Sequence, residues 1–236
     1  MNTKALSDSN YYDLWVMKVV ITSATTHEAY NIKQNMCQTS LNDLKVSFHI
    51  SGLGLLSTCY SLTRMIFEQK PDIIIQVGIA GSFDKTIALG KVFAVKEECV
   101  GDIGVEENGL FNDVFDMKLE DENAFPYTGR KLTNPWLSKY NFLQLDEVDG
   151  VTINEISTRP ERIRQLKSKY CPVIESMEGA ALHYVGLQLQ VPFIQIRAVS
   201  NYVGERDKSK WNFNEALENL GDTVLRYTYA LQSGKL

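Results

Sequence analysis

The chain has 236 residues, of which 44% are hydrophobic and 22% are charged, and its formal net charge at pH 7 is −5. This length suits one substantial α/β domain, and the acidic balance gives no support to a nucleic-acid partner. No apolar run reaches the ~18 residues of a membrane span, and the start of the chain lacks a signal-peptide hydrophobic region. We therefore expect a cytoplasmic protein without membrane contact. The cysteines and histidines have no metal-ligand spacing, so no metal is expected.

Short apolar segments alternate with segments of helical periodicity, which predicts one α/β domain. Residues 72–77 (DIIIQV) form a continuous apolar run that is typical of a strand covered by helices on both faces. Residues 17–236 are assigned to the domain, and residues 1–16 to an N-terminal extension. The predicted strands are 18–24, 45–50, 72–77, 92–97, 148–154, 173–175 and 192–199. The predicted helices are 28–36, 55–69, 160–169, one that opens near Met177 and a last one from Phe213.

Ligands of α/β sheets bind beyond the carboxyl ends of strands, where four junctions of this chain lie. Glu28 and Glu178 each follow a predicted strand, although either could simply be a helix-start acid that the helix dipole stabilises. Gly78 and Gly81 could form a tight turn, or they could let the backbone approach a ligand closely. Asn201 could cap a helix. The joint placement of these residues favours a binding site over four unrelated structural roles. The junctions are 23–28, 77–82, 175–181 and 199–204.

Three of these segments together resemble the purine nucleoside phosphorylase/hydrolase superfamily. Residues 17–29 (MKVVITSATTHEA) are similar to the opening strand and water-activating loop of methylthioadenosine/S-adenosylhomocysteine nucleosidases. SGLG at 51–54 and KPDIIIQVGIAGSF at 70–83 match the second motif of that family, and 175–201 resembles its ribose- and base-binding stretch. The resemblance covers nearly all of 17–232. It implies a single-domain three-layer α/β fold with a central mixed sheet flanked by helices, assembled as a homodimer or larger homo-oligomer.

Within the superfamily, four segments resemble the futalosine hydrolases: 101–106 (GDIGVE), 152–154, 176–181 (SMEGAA) and 200–211 (SNYVGERDKSKW). That resemblance implies hydrolysis of the small-molecule nucleoside futalosine to hypoxanthine and dehypoxanthine futalosine, in the alternative menaquinone pathway and without a cofactor. The alternatives are a methylthioadenosine/S-adenosylhomocysteine nucleosidase, a purine nucleoside phosphorylase, and an inactive nucleoside-binding protein on the same fold.

The resemblance implies catalytic roles for three residues. Glu28 would act as the general base on the attacking water, and Glu178 would bind the ribose hydroxyls while positive charge grows on the sugar. Asn201 stands where the family has an aspartate near the purine N7. An aspartic acid can protonate adenine N7, whereas an asparagine can donate to O6 and accept from N7–H. Asn201 therefore favours a 6-oxopurine such as hypoxanthine over adenine.

Five further residues carry implied substrate contacts. Met177 would lie against the sugar, and Phe213 would help to close the pocket. Ala80 and Gly81 would line the site near the base and the water through their backbone, and the main chain at Ile153 would meet the edge of the base.

The sequence departs from the family at several other positions. Ile79 replaces a serine, Ser176 replaces a glutamate, and Thr152 replaces an aromatic residue that stacks on the base. Arg197 matches a strand arginine of the family and is given a supporting role. Gln76 stands where hexameric phosphorylases carry a phosphate-binding arginine, which argues against a phosphorylase.

The carboxylate on the aryl side of futalosine needs a cationic partner. Arg206, Lys208 and Lys210 are the candidates, because of their charge and their closeness to the site loop.

Overall fold

The computed structural model of the chain describes residues 16–36 and 44–233. Apart from Val16, the predicted extension 1–16 lies outside the described residues. The strands are β1 Met17–Ser23, β2 Leu44–Ile50, β3 Ile73–Ser82, β4 Val92–Val100, β5 Gly104–Glu107, β6 Leu110–Asp113, β7 Leu132–Thr133, β8 Glu147–Thr152, β9 Ile174–Ser176 and β10 Phe193–Tyr202. The helices are α1 Thr26–Met36, α2 Gly54–Gln69, α3 Leu137–Tyr140, α4 Pro160–Tyr170, α5 Gly179–Leu189 and α6 Phe213–Gln232, with a 3₁₀ turn at Lys208–Lys210.

Eight of the described strands form one mixed sheet in the order β10-β4-β8-β9-β3-β1-β2, with β7 beside β4. The pairings β10–β4, β3–β9 and β4–β7 are antiparallel, and the other pairings in this sheet are parallel. Because β10 also pairs with β3, the strands β3, β10, β4, β8 and β9 curl into a closed ring. The mixed sheet predicted from the sequence is confirmed, and the ring brings β9 and β10 to opposite edges of β3.

Alternation along β3 explains why its sequence is apolar on both faces. Ile73 and Ile75 join a core that includes residues of α1 and α6. Ile74 joins a second core that includes residues of α2 and α5. All three isoleucines are fully buried. The predicted three-layer arrangement, with helices on both faces of the sheet, is therefore confirmed.

Of the two alternatives for Gly78 and Gly81, the tight turn is wrong, because β3 continues through both glycines to Ser82. Neighbouring strands on both edges give this segment the hydrogen-bond partners that keep it extended. The helix-cap interpretation of Asn201 is also wrong, since β10 continues to Tyr202.

Two other boundaries differ from prediction. The helix expected to open near Met177 begins at Gly179, because Glu178 has the non-helical backbone angles φ −132° and ψ −14°. The segment between β4 and β8, to which the sequence assigns no helix or strand, contains the β5–β6 hairpin, β7 and α3. No helix in the part of the chain that the structure describes is long and apolar enough to cross a membrane.

Candidate active site

A cavity of about 260 Å³ opens at the carboxyl ends of β1, β3 and β10, next to β9 and the segment that follows β8. Each of the predicted site residues lines it: Glu28, Ala80, Gly81, Ile153, Met177, Glu178, Asn201 and Phe213. These residues are spread along the chain from position 28 to position 213, and the order of the strands in the sheet brings them together.

Glu28 belongs to a capping box at the start of α1. Its N–H donates to Thr25 Oγ1 (3.3 Å), while its Oε2 accepts from the N–H and the hydroxyl of Thr25 (both 3.0 Å). This is the reciprocal pattern that satisfies the free N–H groups of a helix start. The whole residue is 8% exposed, and the other carboxylate oxygen, Oε1, accepts from the Ile79 N–H at 3.3 Å. The structural role considered for Glu28 is therefore real, and it fixes the carboxylate at the wall of the cavity.

Arg197 lies beneath the cavity and is 2% exposed. Its Nη2 donates to Gln76 Oε1 (3.1 Å), its Nη1 donates to the Ile79 carbonyl (3.3 Å), and the same Nη1 lies 3.6 Å from Glu178 Oε2. A buried arginine needs such partners, because a desolvated unpaired charge is very costly.

The absence of a side chain at Gly78 makes room for this charged group. A Cβ built there would lie 2.4 Å from Arg197 Nη1 and 2.9 Å from Glu28 Oε1. Arg197 Nη1 and Glu28 Oε1 therefore both lie close to Gly78, and the guanidinium compensates the negative charge of Glu178, its ion-pair partner.

Glu178 is the residue just before α5 and is 5% exposed. Its Oε1 accepts from the Gly54 N–H at 3.2 Å, so the start of α2 and Arg197 hold one carboxylate oxygen each. A carboxylate held in this way at the cavity wall can accept hydrogen bonds from ligand hydroxyls without first reorganising.

Another buried carboxyl, Glu98, lies behind the wall of the cavity. It is fully buried and accepts from Thr152 Oγ1 (3.0 Å) and Gln195 Nε2 (2.9 Å). Burial raises the pKa of Glu98 to about 7, although Gln195 and Arg197 favour its ionised form. Thr152 Oγ1 in turn accepts from the Ala180 N–H at 2.8 Å. Thr152, which replaces the family's stacking aromatic, is itself fully buried and ties this carboxyl to the first turn of α5.

The amide of Asn201 is held in one orientation. Its Nδ2 donates to the Tyr202 carbonyl (3.1 Å), and its Oδ1 accepts from the Ser200 hydroxyl (2.9 Å). A flipped amide would set Oδ1 against the Tyr202 carbonyl, which can only accept. One N–H of Nδ2 and a lone pair of Oδ1 remain for a ligand.

The main chain at Ile153 has already used its donor. The Ile153 N–H donates to the Ser176 carbonyl at 3.0 Å, where the segment after β8 passes β9. The backbone at this wall therefore has no N–H left to give to an acceptor on a bound ring.

Aromatic and cationic groups occupy the mouth of the cavity. The ring of Phe213 stacks on His27 with 5.4 Å between centroids. Arg206 and Trp211 also line the cavity, and the Arg206 guanidinium lies 5.5 Å from the centroid of the Trp211 ring. Of the other two predicted cations, Lys210 pairs with Glu205 at 2.9 Å, and Lys208 does not line the cavity.

Several lining residues were not predicted from the sequence, among them Thr25, Leu53 and Glu175. Thr25 and Glu175 lie inside two of the four strand-end junctions, 23–28 and 175–181, so their position in the sequence is a usable signal. Leu53 carries no chemical signal, since an isolated leucine before a helix is ordinary. Within the described part of the chain, no cluster of His, Cys, Asp and Glu side chains has the arrangement of a metal site.

Comparison with known proteins places this cavity in context. A model of the phosphorylase superfamily matches residues 148–228. A futalosine hydrolase from Thermus thermophilus is 30% identical over 178 residues, which cover 75% of this chain and 78% of that protein. A 5'-methylthioadenosine/S-adenosylhomocysteine nucleosidase from Maridesulfovibrio salexigens is 24% identical over 199 residues, covering 81% and 82%.

Among solved structures, a futalosine hydrolase mutant of Helicobacter pylori strain 26695 superposes with a TM-score of 0.74. Its sequence is 18% identical, and the match covers 94% of this chain and 100% of that one. The chain belongs to the phosphorylase superfamily and, within it, to the nucleosidases, the N-glycosyl hydrolases that cut the bond between sugar and base. The family resemblance predicted from the sequence is thereby confirmed.

Proposed function

We propose that this nucleosidase acts on a 6-oxopurine nucleoside, futalosine, and releases hypoxanthine. The observation that carries the proposal is the fixed amide of Asn201, which offers one donor and one acceptor to the base. In the bound nucleoside N7 carries no hydrogen, so the match forms as the base departs and its anion takes up a proton at N7 from solvent; O6 is then the acceptor and N7–H the donor. The 30% identical futalosine hydrolase of Thermus thermophilus supports the same substrate.

The sugar end of the cavity supports the hydrolytic step. Glu28 would take a proton from the attacking water through Oε1, the oxygen that faces away from the capping box. General-base catalysis of this kind contributes about 10²–10⁴-fold. Glu178 would accept hydrogen bonds from the ribose hydroxyls, and these bonds strengthen as the ring acquires oxocarbenium character.

Adenine fits the same site less well. Adenine carries a donor at position 6 and an acceptor at N1. The Asn201 amide could meet the donor only by flipping against the Tyr202 carbonyl, and the Ile153 N–H is already bonded to Ser176. A 6-oxopurine carries a hydrogen on N1, so it needs no hydrogen-bond donor from the protein at that position.

Phosphate as the nucleophile is disfavoured by the charges in the cavity. Gln76, which stands at the position of the phosphorylase arginine, is hydrogen-bonded to Arg197. Among the described residues that line the cavity, the one cation is Arg206 at the mouth. A phosphate dianion beside Glu28 and Glu178 would meet two carboxylates with no guanidinium clamp of its own.

Arg206 suits the carboxylate at the far end of futalosine. It lines the cavity, and its stacking on Trp211 restrains the guanidinium before the substrate arrives. We propose Arg206, ahead of Lys208 and Lys210, as the residue that binds this group.

The test is to incubate the full-length protein with futalosine, inosine and methylthioadenosine, each with and without phosphate, and to measure the free base by chromatography. The proposal expects hypoxanthine from futalosine at a rate that phosphate does not change. Faster release of adenine from methylthioadenosine would overturn the substrate assignment. A rate that requires phosphate, with a sugar 1-phosphate as product, would overturn the hydrolase assignment.

A further inference from the structure

Glu175 is a buried carboxyl in the cavity wall to which the proposed reaction assigns no role. It lies on β9 and lines the cavity, and the whole residue is 7% exposed. Its Oε1 accepts from the Ser157 N–H at 3.3 Å. Its Oε2 is buried and has no hydrogen-bond partner among the described residues. A buried carboxylate oxygen without a donor is costly, so this atom has capacity for a ligand donor.

The register of the strands places Glu175 opposite Asn201. Gly81 on β3 pairs with Glu175 on one edge and with Asn201 on the other. Residues that pair in register put their side chains on the same face of a sheet, so both side chains flank Gly81 on one face. A Cβ built on Gly81 would lie 3.4 Å from Asn201 Nδ2, which shows that the Asn201 amide is on that face.

Glu175 and Asn201 are far enough apart for a flat ring to lie between their side chains. Two strand spacings separate β9 from β10, which amounts to roughly 9.6 Å. Gly81 has no side chain on this face, where Val203 Cγ2 would lie 3.2 Å from an added Cβ, and Ala80, Ile153 and Met177 line the same cavity. In a purine whose O6 and N7 face Asn201, N1–H lies on the adjoining edge of the ring, next to O6, and this is the edge that Glu175 would meet.

We propose that Glu175 binds the base directly, its carboxylate accepting the hydrogen bond from N1–H of a 6-oxopurine, and that Glu175 and Asn201 together select this class of base. The inference rests on the proposed function, because it takes a 6-oxopurine as the bound ring. Adenine and N1-alkylated purines have no hydrogen on N1 and would leave the carboxylate without its donor. Sites built on such hydrogen bonds reject analogues that lack the donor, because the buried partner is then unpaired.

The direction of the pKa shift of Glu175 agrees with a carboxylate that lacks a hydrogen-bond donor. Burial raises its pKa, the hydrogen bond from the Ser157 N–H and the charge of Arg162 act in the opposite direction, and Asp102 adds to the rise. A ligand N–H at Oε2 would replace part of the hydration that burial removes from the ionised form.

The experiment is calorimetric titration of the full-length protein with hypoxanthine and with 1-methylhypoxanthine. The variants are Glu175→Met, which keeps the length of the side chain and removes the acceptor, and Glu175→Gln, which keeps an acceptor and removes the charge. Glu155→Met is the matched control, since Glu155 is an exposed carboxyl on the neighbouring loop and does not line this cavity.

Glu175→Met should weaken hypoxanthine binding by about 10- to 100-fold, the range expected for a hydrogen bond to a charged group. The affinity for 1-methylhypoxanthine should stay nearly unchanged, and Glu155→Met should leave both affinities unchanged. Glu175→Gln should fall between Glu175→Met and the wild type, and it carries the test if the methionine variant does not fold.

An equal loss for both ligands, which is what a merely structural role produces, would overturn the inference, as would unchanged hypoxanthine binding in the Met variant. These outcomes are distinct from a failure of the proposed function. A wild-type protein that binds adenine in preference to hypoxanthine would contradict the 6-oxopurine assignment itself.

Discussion

The two ends of the cavity differ in how their polar groups are satisfied. At the end that we propose for the sugar, Glu28, Arg197 and Glu178 are buried, and each has protein partners, although Arg197 Nε has none among the described residues. At the end that we propose for the base, Asn201 keeps a donor and an acceptor for a ligand, and Glu175 has a carboxylate oxygen with no partner among the described residues.

We infer from this difference that one end of the cavity serves catalysis and the other selects the base. Charges that the protein holds in place need no reorganisation when charge develops on the substrate, so the sugar end is suited to stabilising the transition state. A buried polar group that finds its hydrogen-bond partner only in a ligand lowers the affinity for every ligand that leaves it unpaired. The base end is therefore suited to choosing the base. We therefore expect substitutions at the sugar end to lower kcat, and substitutions at the base end to change which nucleoside is cleaved.

The largest expected effect is that of Glu28→Gln. Glutamine is accepted at this position of a capping box, so α1 should still start correctly, but the amide cannot take a proton from water. We expect kcat to fall by roughly 10²-fold or more while substrate binding stays measurable. Rate assays paired with binding titrations measure both quantities.

The matched control is Glu215→Gln, because Glu215 is the acidic residue in the first turn of α6 and also bonds to the residue that precedes its helix. It should leave kcat unchanged. A Glu28→Gln variant that keeps more than about a tenth of the wild-type rate would place the base elsewhere and remove the distinction between the two ends.

Gly78→Ala should have the next largest effect. The added Cβ would lie 2.4 Å from Arg197 Nη1 and 2.9 Å from Glu28 Oε1, and both of these side chains are buried. Displacing this charged group should lower kcat by about 10-fold or more, since misplacement by about 1 Å can cost 10²-fold. It should also lower the free energy of unfolding by about 1–3 kcal/mol, as overpacking does. Steady-state kinetics and urea unfolding would measure the two losses; wild-type kcat in this variant would mean that catalysis tolerates a shifted Arg197.

The sequence predicted the sugar end better than the base end for a physical reason. Glu28 and Glu178 follow strands, and a carboxylate beyond a strand is visible in the sequence once the strands are found. At Gly78 and Gly81 the sequence left a tight turn open as one of two alternatives, and the structure has a continuous strand there. Local sequence does not predict this, because Gly81 pairs with Glu175 on β9, which is distant in the sequence.

The significance of Glu175 also depends on long-range register. Only when β9 and β10 flank β3 does Glu175 face Asn201 across Gly81. Similarly, Glu98 and Gln195 are 97 positions apart in the sequence and meet only in the folded sheet. Hydrophobic periodicity predicts layers and helices, but it contains no information on which polar side chains will share a buried site.

Asn201→Asp should change the preference for the base, with a smaller effect on ribose binding. An aspartic acid can protonate N7 of adenine, whereas an aspartate has no N–H to give to O6 of hypoxanthine. We expect the ratio of kcat/KM for futalosine to that for its 6-amino analogue to fall by about tenfold or more, which is one lost discriminating hydrogen bond. Kinetics with both nucleosides on both proteins give the ratio. A ratio that the substitution does not move would mean that Asn201 does not read the base.

Glu98→Gln should have the smallest effect on catalysis, because Glu98 lies behind the cavity wall and does not line it. Its effect should appear in stability instead. The pKa of Glu98 is about 7 in the folded protein, against a reference value of 4.5. Below pH 4.5 the group is protonated in both states, and its contribution is fully present. As the pH rises toward 7 the unfolded chain releases its proton first, so this contribution is lost, on the order of 3 kcal/mol.

The buried His183 acts in the opposite direction over the same range. Burial lowers its pKa from 6.5 to about 4, so its contribution is present above pH 6.5 and is lost as the pH falls. The pH dependence of the wild type alone therefore mixes the two groups, and the difference between wild type and Glu98→Gln isolates the carboxyl. Urea unfolding between pH 5 and pH 8 should show that the variant gains stability relative to wild type as the pH rises through this window, then follows it in parallel. If the unfolding free energies of wild type and variant run parallel across the whole pH range, Glu98 titrates alike in the folded and unfolded states. Its partners would then compensate its burial as fully as those of Glu28 and Glu178 do.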